Sequence, residues 1–184
     1  MSYQQIIIIF MLVVIVGVAL WQLTMIVTSL FGLYLMSTNG GAIRAILTAI
    51  GVKKSQIFLD LGCGNAQNLI VASKQFGAQG IGIEIFFVQY MVAKINVWLA
   101  GESKNIRIYL GDFRNFPELT KKADTIYLYQ RQILLEKIES EIFDQAKKGA
   151  EIVCLSSYFV HHRPTKSFRV KNVYADASVR VYKA

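Results

Sequence analysis

The first charged side chain in this sequence is Arg44; no Asp, Glu, Lys or Arg precedes it. Within that uncharged start, the run IIIIFMLVVIVGVALWQLTMIVTSLFGLYLM (Ile6 to Met36) is longer than the ~20 residues a helix needs to cross a bilayer. At ~1.5 Å per residue it spans with tilt and continues past the interface. A signal peptide has a basic start, a shorter apolar core and a small-residue cleavage site. This run is too long and lacks the basic start. A buried helix of this length is hard to hide in so small a chain. Residues 1–36 are therefore expected to form a membrane anchor. Arg44, Lys53 and Lys54 follow it, so the positive-inside rule places the rest of the chain in the cytoplasm, as a single-pass protein. With no Arg-rich presequence, a prokaryotic plasma membrane is preferred; a eukaryotic source would imply the mitochondrial inner membrane.

All of the +8 net charge falls after the anchor. The segment from Arg163 to Lys183 carries six basic residues against one Asp. Such a surface favours anionic lipid or acidic partners. No zinc-finger spacing or RNA-binding signature is visible, so no nucleic-acid partner is expected. Two cysteines, Cys63 and Cys154, read as buried free thiols rather than a disulfide framework. His161 and His162 have no companion Cys, Asp or Glu cluster. They read as a solvent-facing loop, and no metal is expected.

Residues 37–56 read as a hinge (STNGG) and a helix over Ala42–Ile50, with Ile43, Ile46, Leu47 and Ile50 on one face. Beyond it, apolar strands alternate with helices. The strands are expected at Ile57–Leu61, Gly80–Ile85, Ile106–Leu110, Asp124–Tyr129 and Glu151–Ser156. The helices are expected at Gln67–Phe76, Val88–Leu99 and Gln132–Lys147, the last with Leu134, Ile138 and Ile142 on its apolar side. A short helical turn is expected after Pro117. This alternation predicts a parallel sheet covered on both faces. Period-2 segments Phe168–Val173 and Val179–Tyr182, around the turn ADAS, predict an antiparallel hairpin at the sheet edge. Residues 57–184 thus form one domain.

In FLDLGCGNAQN a strand turns sharply into a helix. Gly62 and Gly64 can take positive φ, and amides at the helix start can face a ligand. A third glycine, needed for the dinucleotide pattern, is replaced by Gln67. Asp60 precedes the loop. Glu84 ends the second strand, where an acid can accept from both ribose hydroxyls, and Asp112 ends the third, within reach of an adenine amino group. Three acids at successive parallel strand ends converge on the sheet's carboxyl edge, where such sheets bind ligands.

This combination resembles the class I (seven-β-strand) S-adenosylmethionine-dependent methyltransferases. The anchor, the pre-loop helix, FLDLGCG, GIEI, GDFRNF, ADTIYLY and KKGAEIVCLSSYF together look like one branch. It comprises membrane-associated protein-lysine N-methyltransferases related to the mitochondrial enzymes acting on ATP synthase subunit c and the adenine nucleotide translocase, with prokaryotic relatives. The resemblance implies a Rossmann-like α/β fold, mostly parallel, with an antiparallel C-terminal hairpin. It implies S-adenosyl-L-methionine held by Asp60, Gly62, Cys63, Gly64 and Asn65, by Glu84 and Ile85, and by Asp112 and Phe113. It places the acceptor at the end of the fourth strand. There Tyr127 and Tyr129 flank the amine by cation–π contact and Gln130 orients it. Tyr158 and Phe159 complete the substrate wall, and Asn39 to Ala42 close over the methionine end. The implied partner is a protein with an accessible lysine, for which a membrane protein is natural; the sequence does not fix an oligomeric state. The sequence departs from the family where Asn65-Ala66 replace an acid and a glycine. It departs again where Phe86-Phe87 follow the second strand instead of Asn-Pro, and where YLYQRQ lacks a proline. Other readings are a lipid or quinone methyltransferase and a non-catalytic cofactor-binding module. An NAD-linked enzyme fits least, for want of the third glycine.

Overall fold

The computed structural model describes residues 2–30, 38–172 and 175–184. The remainder of the predicted anchor (residues 31–36), the start of the hinge at residue 37 and the predicted strand end at Val173 lie outside these. The chain divides into two compact units, Met1–Leu35 and Met36–Ala184.

Among its described residues the first unit is the helix α1 (Tyr3–Leu30). Its stretch Tyr3–Ile26 is long and apolar enough to cross a membrane, and none of its most apolar part is buried.

The second unit is a seven-stranded sheet. Its strands are β1 (Ile57–Leu61), β2 (Gln79–Glu84), β3 (Ile106–Leu110), β4 (Thr125–Leu128), β5 (Glu151–Leu155), β6 (Lys166–Lys171) and β7 (Asp176–Lys183). The order across the sheet is β3-β2-β1-β4-β5-β7-β6. The first five are parallel; β7 pairs antiparallel with β5 and with β6. The helices are α2 (Gly40–Ile50), α3 (Gln67–Phe76), α4 (Phe87–Leu99), α5 (Pro117–Thr120) and α6 (Gln132–Gln145). The expected mostly parallel sheet with its C-terminal hairpin is what the chain forms.

Strand alternation divides the apolar residues between two cores. Phe58, Tyr127, Val153 and Leu155 face α2, α3 and α4. Leu59, Ile126, Leu128, Ile152 and Cys154 face α5 and α6. Side chains on successive strand residues point to opposite faces, so each central strand feeds both cores.

Several boundaries differ from the expected ones. β5 stops at Leu155 because Ser156 adopts a left-handed φ of 65°. ADAS is not a turn: Asp176, Ala177 and Ser178 lie within β7 and pair with Lys171, Val170 and Arg169 of β6. On α6 the buried stripe is Leu135, Ile138 and Ile142, with Leu134 only half-buried. The adjoining Ile133, Leu134 and Leu135 leave the helix phase ambiguous in sequence, and Glu139 joins the buried side.

His162 is not simply solvent-facing. Its ring stacks on Phe143 with centroids 3.4 Å apart, and Nδ1 lies 2.8 Å from Glu139 Oε1. Glu139 is buried and also accepts from the Val160 and His161 amides, at 2.9 and 2.8 Å. A buried carboxylate requires such donors, and they fold this loop back onto α6.

Candidate active site

The carboxyl ends of the five parallel strands carry the candidate residues. Gly62 and Gly64 turn the chain between β1 and α3 with φ of 82° and 53°. Ala66, where the resembling family has glycine, also takes a left-handed φ, 62°, and is buried.

Glu84 ties this turn to the end of β2: Oε2 accepts from Gly64 N in the turn at 2.9 Å, while Oε1 accepts from Phe86 N, just before α4, at 3.0 Å. A buried carboxylate at the end of β2 therefore pins the loop after β1. Cys63 is buried behind it, and burial pushes its thiol well above the ordinary range. Asn65 is exposed; its Oδ1 accepts from Gln67 N at 3.2 Å and its carbonyl from Asn96 Nδ2 of α4 at 3.0 Å.

Asp60 pairs in register with Gly82 and Tyr127, on the face of the α2–α3 core. Burial pushes its carboxyl up to about 7; a hydrogen bond from Asn68 opposes this, and the charge of Glu84 adds to it. Asn68 Nδ2 donates to Asp60 Oδ2 at 2.9 Å, while the buried Asn68 Oδ1 has no protein partner. Sequence reasoning missed Asn68; a polar residue in the first turn after the loop was the available signal.

Ile85 is exposed and leads into α4. Asp112 caps a short 3-10 turn, Phe113–Asn115, and its carboxylate is clamped by Arg114, with Nη2 at 2.6 Å. That clamp holds Asp112 below the usual carboxylate range. Phe113 is half-buried against the second core.

At the end of β4 the predicted acceptor residues separate. Tyr127 is fully buried, and its hydroxyl lies 2.8 Å from Thr38 Oγ1. It supports the segment before α2 rather than opening onto solvent. Tyr129 is half-buried, with its hydroxyl 3.5 Å from Asn172 Nδ2. Gln130 Nε2 donates to the Leu61 carbonyl at 3.1 Å, and a Cβ placed on Gly62 would collide with that nitrogen. Gln130 thus lies across the glycine loop. Its own carbonyl accepts from Ser157 Oγ at 2.7 Å. Ser157, like Thr38, gave no local signal in the sequence.

Tyr158 is exposed, with the Arg180 guanidinium 5.4 Å from its ring centroid. Phe159 turns away: it is buried in the second core, with ring centroids 5.0 Å from Phe143 and 4.9 Å from Tyr182. Of the pair expected to form a substrate wall, only Tyr158 is exposed, because the chain after the left-handed Ser156 folds back over α6.

The pre-loop segment is fixed to the hairpin. Asn39 caps α2 by accepting from Ala42 N at 2.7 Å, and donates to Asn172 Oδ1 and the Lys171 carbonyl at 3.0 and 3.2 Å. A Cβ on Gly40 would meet Gln67 Nε2 at 3.7 Å, so the start of α2 adjoins the start of α3.

A separate groove of about 280 Å³ lies at the opposite, amino edge of the sheet, lined by Lys53, Asp124, Lys147, Glu151 and Lys183 among others. It is remote from the acids and the glycine loop, and parallel sheets bind ligands at the carboxyl edge. The candidate site is therefore the loop, not this groove.

No family profile and no curated protein matches the sequence. Solved structures do match the fold. An RNA methyltransferase from Salinibacter ruber, in complex with S-adenosyl-L-homocysteine, is 22% identical with a TM-score of 0.73, over 80% of this chain and 93% of that one. The B. subtilis tRNA methyltransferase TrmK is 17% identical with a TM-score of 0.64, over 82% of this chain and 68% of that one. TrmN from Thermus thermophilus is 14% identical with a TM-score of 0.64, over 77% of this chain and 48% of that one. The domain has the Rossmann-like fold of the class I methyltransferases.

Proposed function

We propose that this chain is a membrane-anchored S-adenosylmethionine-dependent methyltransferase whose acceptor is the ε-amine of a protein lysine. The observation that carries the cofactor reading is the loop pinned by Glu84 over Asp60. The site fits the cofactor: the Gly64 side of the turn is open, and the buried Asn68 Oδ1 is left without a protein partner. The loop backbone, Glu84 and Asp112 would hold the nucleoside, with Asp60 and Asn68 beneath the loop. When bound, S-adenosylmethionine supplies an electrophilic sulfonium methyl.

The acceptor amine must be neutral to attack. With a reference lysine pKa of ~10.4, neutrality at pH 7 costs roughly 4 to 5 kcal/mol. An apolar, partly closed site lowers that cost by disfavouring the ammonium. Tyr129 and Gln130 are the polar residues at the end of β4 that would orient the amine, and Tyr158 would shield it from water. The lysine reading draws on the sequence resemblance and on α1, which would keep the site near membrane-protein substrates.

A second reading is RNA methylation. The solved Salinibacter ruber and TrmK proteins are RNA and tRNA methyltransferases, and the +8 charge suits a polyanion.

The test incubates the detergent-purified chain with methyl-labelled cofactor and, separately, a membrane-protein extract, bulk tRNA and extracted lipid. An Asp60→Ala/Glu84→Ala chain is the control. Label recovered as methyl-lysine, and lost in the control, is expected. Label in tRNA alone would move the acceptor to RNA, and label in lipid alone to a lipid headgroup or quinone. Cofactor binding with no label anywhere would leave only a binding module.

A further inference from the structure

Helix α4 has its side chains distributed the wrong way round for a helix that covers a sheet in water. Its buried residues are Gln89, Ala93 and Val97, which are mostly small or polar. Its large apolar residues point outward: Phe87, Met91, Val92, Ile95, Trp98 and Leu99. Phe87 is 63% exposed, Trp98 70% and Leu99 69%. Phe87, Met91, Ile95 and Trp98 follow one another at helical spacing, so they form one stripe. The only ionic side chain on α4 is Lys94, whose Nζ lies 5.6 Å from the Tyr90 ring centroid. A soluble protein seldom exposes a contiguous apolar patch of this kind without a partner for it.

The surroundings decide which partner. From Ile85 to Leu110 the charged residues are Lys94, Lys104 and Arg107 against a single acid, Glu102. Lysines with apolar stems beside exposed Trp and Phe are the composition of a helix lying in a headgroup region. The same chain carries α1, long and apolar enough to cross a membrane.

We infer that the outward face of α4 docks on an anionic lipid bilayer, seating Phe87, Met91, Ile95 and Trp98 at headgroup depth with Lys94 at the phosphates. This contact is additional to α1 and rests on reading α1 as the anchor. It also bears on the site. The amide that starts α4, Phe86 N, binds Glu84, and Asn96 in its last turns binds the Asn65 carbonyl of the glycine loop. A bilayer under α4 therefore holds the candidate cofactor loop at the membrane surface.

The chain has two tryptophans, Trp21 in α1 and Trp98 in α4, and each can report its own contact. The full chain is reconstituted into vesicles of equimolar phosphatidylcholine and phosphatidylglycerol, with bromine on the acyl chain either near the glycerol or near the tail. In a Trp21→Phe chain, Trp98 emission is expected to fall about twofold with the shallow bromolipid and less with the deep one, as for an interfacial tryptophan. Adding Ile95→Glu and Met91→Glu, both on the exposed face, should abolish that quenching while circular dichroism stays unchanged. A Trp98→Phe chain reads α1 through Trp21. Quenching of Trp21 without quenching of Trp98 would overturn the docking and leave the anchor standing. Quenching of neither would overturn both. Trp98 emission that is blue-shifted, unquenched and dependent on protein concentration would assign the face to a second copy of the chain instead.

Discussion

The Gly64 amide donates to Glu84 Oε2 at 2.9 Å, joining the loop after β1 to the end of β2. The other carboxylate oxygen takes the Phe86 amide. Hydrogen bonds to a charged acceptor contribute about 1.5–3 kcal/mol each. Glu84→Ala should therefore cost about 2–4 kcal/mol of stability and at least about tenfold in cofactor affinity. Glu84→Gln keeps one acceptor and should fall between. Denaturant titration and calorimetric titration with S-adenosylhomocysteine separate the two effects. An Ala variant that binds as tightly as the parent would remove Glu84 from the site.

Gly82 sits beside Asp60 in β2 and has no room for a methyl group. A Cβ there would lie 2.7 Å from Cys63 Sγ, 2.8 Å from Leu69 Cδ1 and 2.9 Å from Ile108 Cδ1. Overpacking of this kind costs about 1–3 kcal/mol. Gly82→Ala should lower stability by that amount, seen as a lower denaturation midpoint, and Cys63→Ala in the same chain should recover part of it. An unchanged midpoint would mean the loop behind Cys63 yields freely.

Much of this was legible in the sequence because it is local. Strand alternation, the glycine turn and the three acids at strand ends depend on residues within one element or its neighbour. The apolar run of α1 is equally plain. What the sequence hid is set by distant partners. Tyr127 and Tyr129 were read as sharing a strand face, but β4 ends at Leu128, and the Tyr127 hydroxyl bonds Thr38, 89 residues away. Phe159 was indistinguishable from a pocket aromatic until the left-handed Ser156 turned the chain over α6. The Arg114 clamp on Asp112 and the Phe143 stack on His162 depend on rotamer choice and tertiary packing, which spacing does not encode.

Asp60 makes stability depend on pH. Its carboxyl titrates at 3.8 when unfolded and at about 7 when buried beside Glu84. Between those values the folded state binds more protons than the unfolded one, so stability falls as pH rises. The contribution is complete below the unfolded pKa, is lost through about pH 7, and is flat above it. The shift corresponds to about 4 kcal/mol. Asp60→Asn, which still offers Asn68 an acceptor, should flatten this slope and raise stability at pH 8. Unfolding titrations at pH 5 and pH 8 check it; an unchanged slope in the variant would assign the dependence elsewhere.

Glu139 works in the opposite direction. Burial alone would raise its pKa, but bonds from His162 and the His161 and Val160 amides hold it below the usual carboxylate range. Its contribution is present above the unfolded value of 4.5 and is lost as pH falls through the lower folded value. Glu139→Ala leaves three donors without their acceptor and should cost about 2–4 kcal/mol at pH 7. Stability of the variant relative to the parent should converge as the pH is lowered. A constant difference down to pH 3 would show that packing, not the charge, is what Glu139 supplies.

The end of β4 gives the sharpest test of roles. Tyr127→Phe removes only the hydroxyl bonded to Thr38, so it should cost about 1 kcal/mol of stability and leave turnover near the parent's. Gln130→Ala removes the amide that lies across Gly62 and bonds Leu61. It should lower kcat about tenfold or more, with a smaller change in cofactor affinity, because orientation of the acceptor is lost rather than the loop itself. The pair is informative together. A Tyr127→Phe chain that keeps its stability but loses turnover would put that hydroxyl at the reacting amine despite its burial. A Gln130→Ala chain with parental kcat would leave Tyr129 as the residue of β4's end that positions the acceptor.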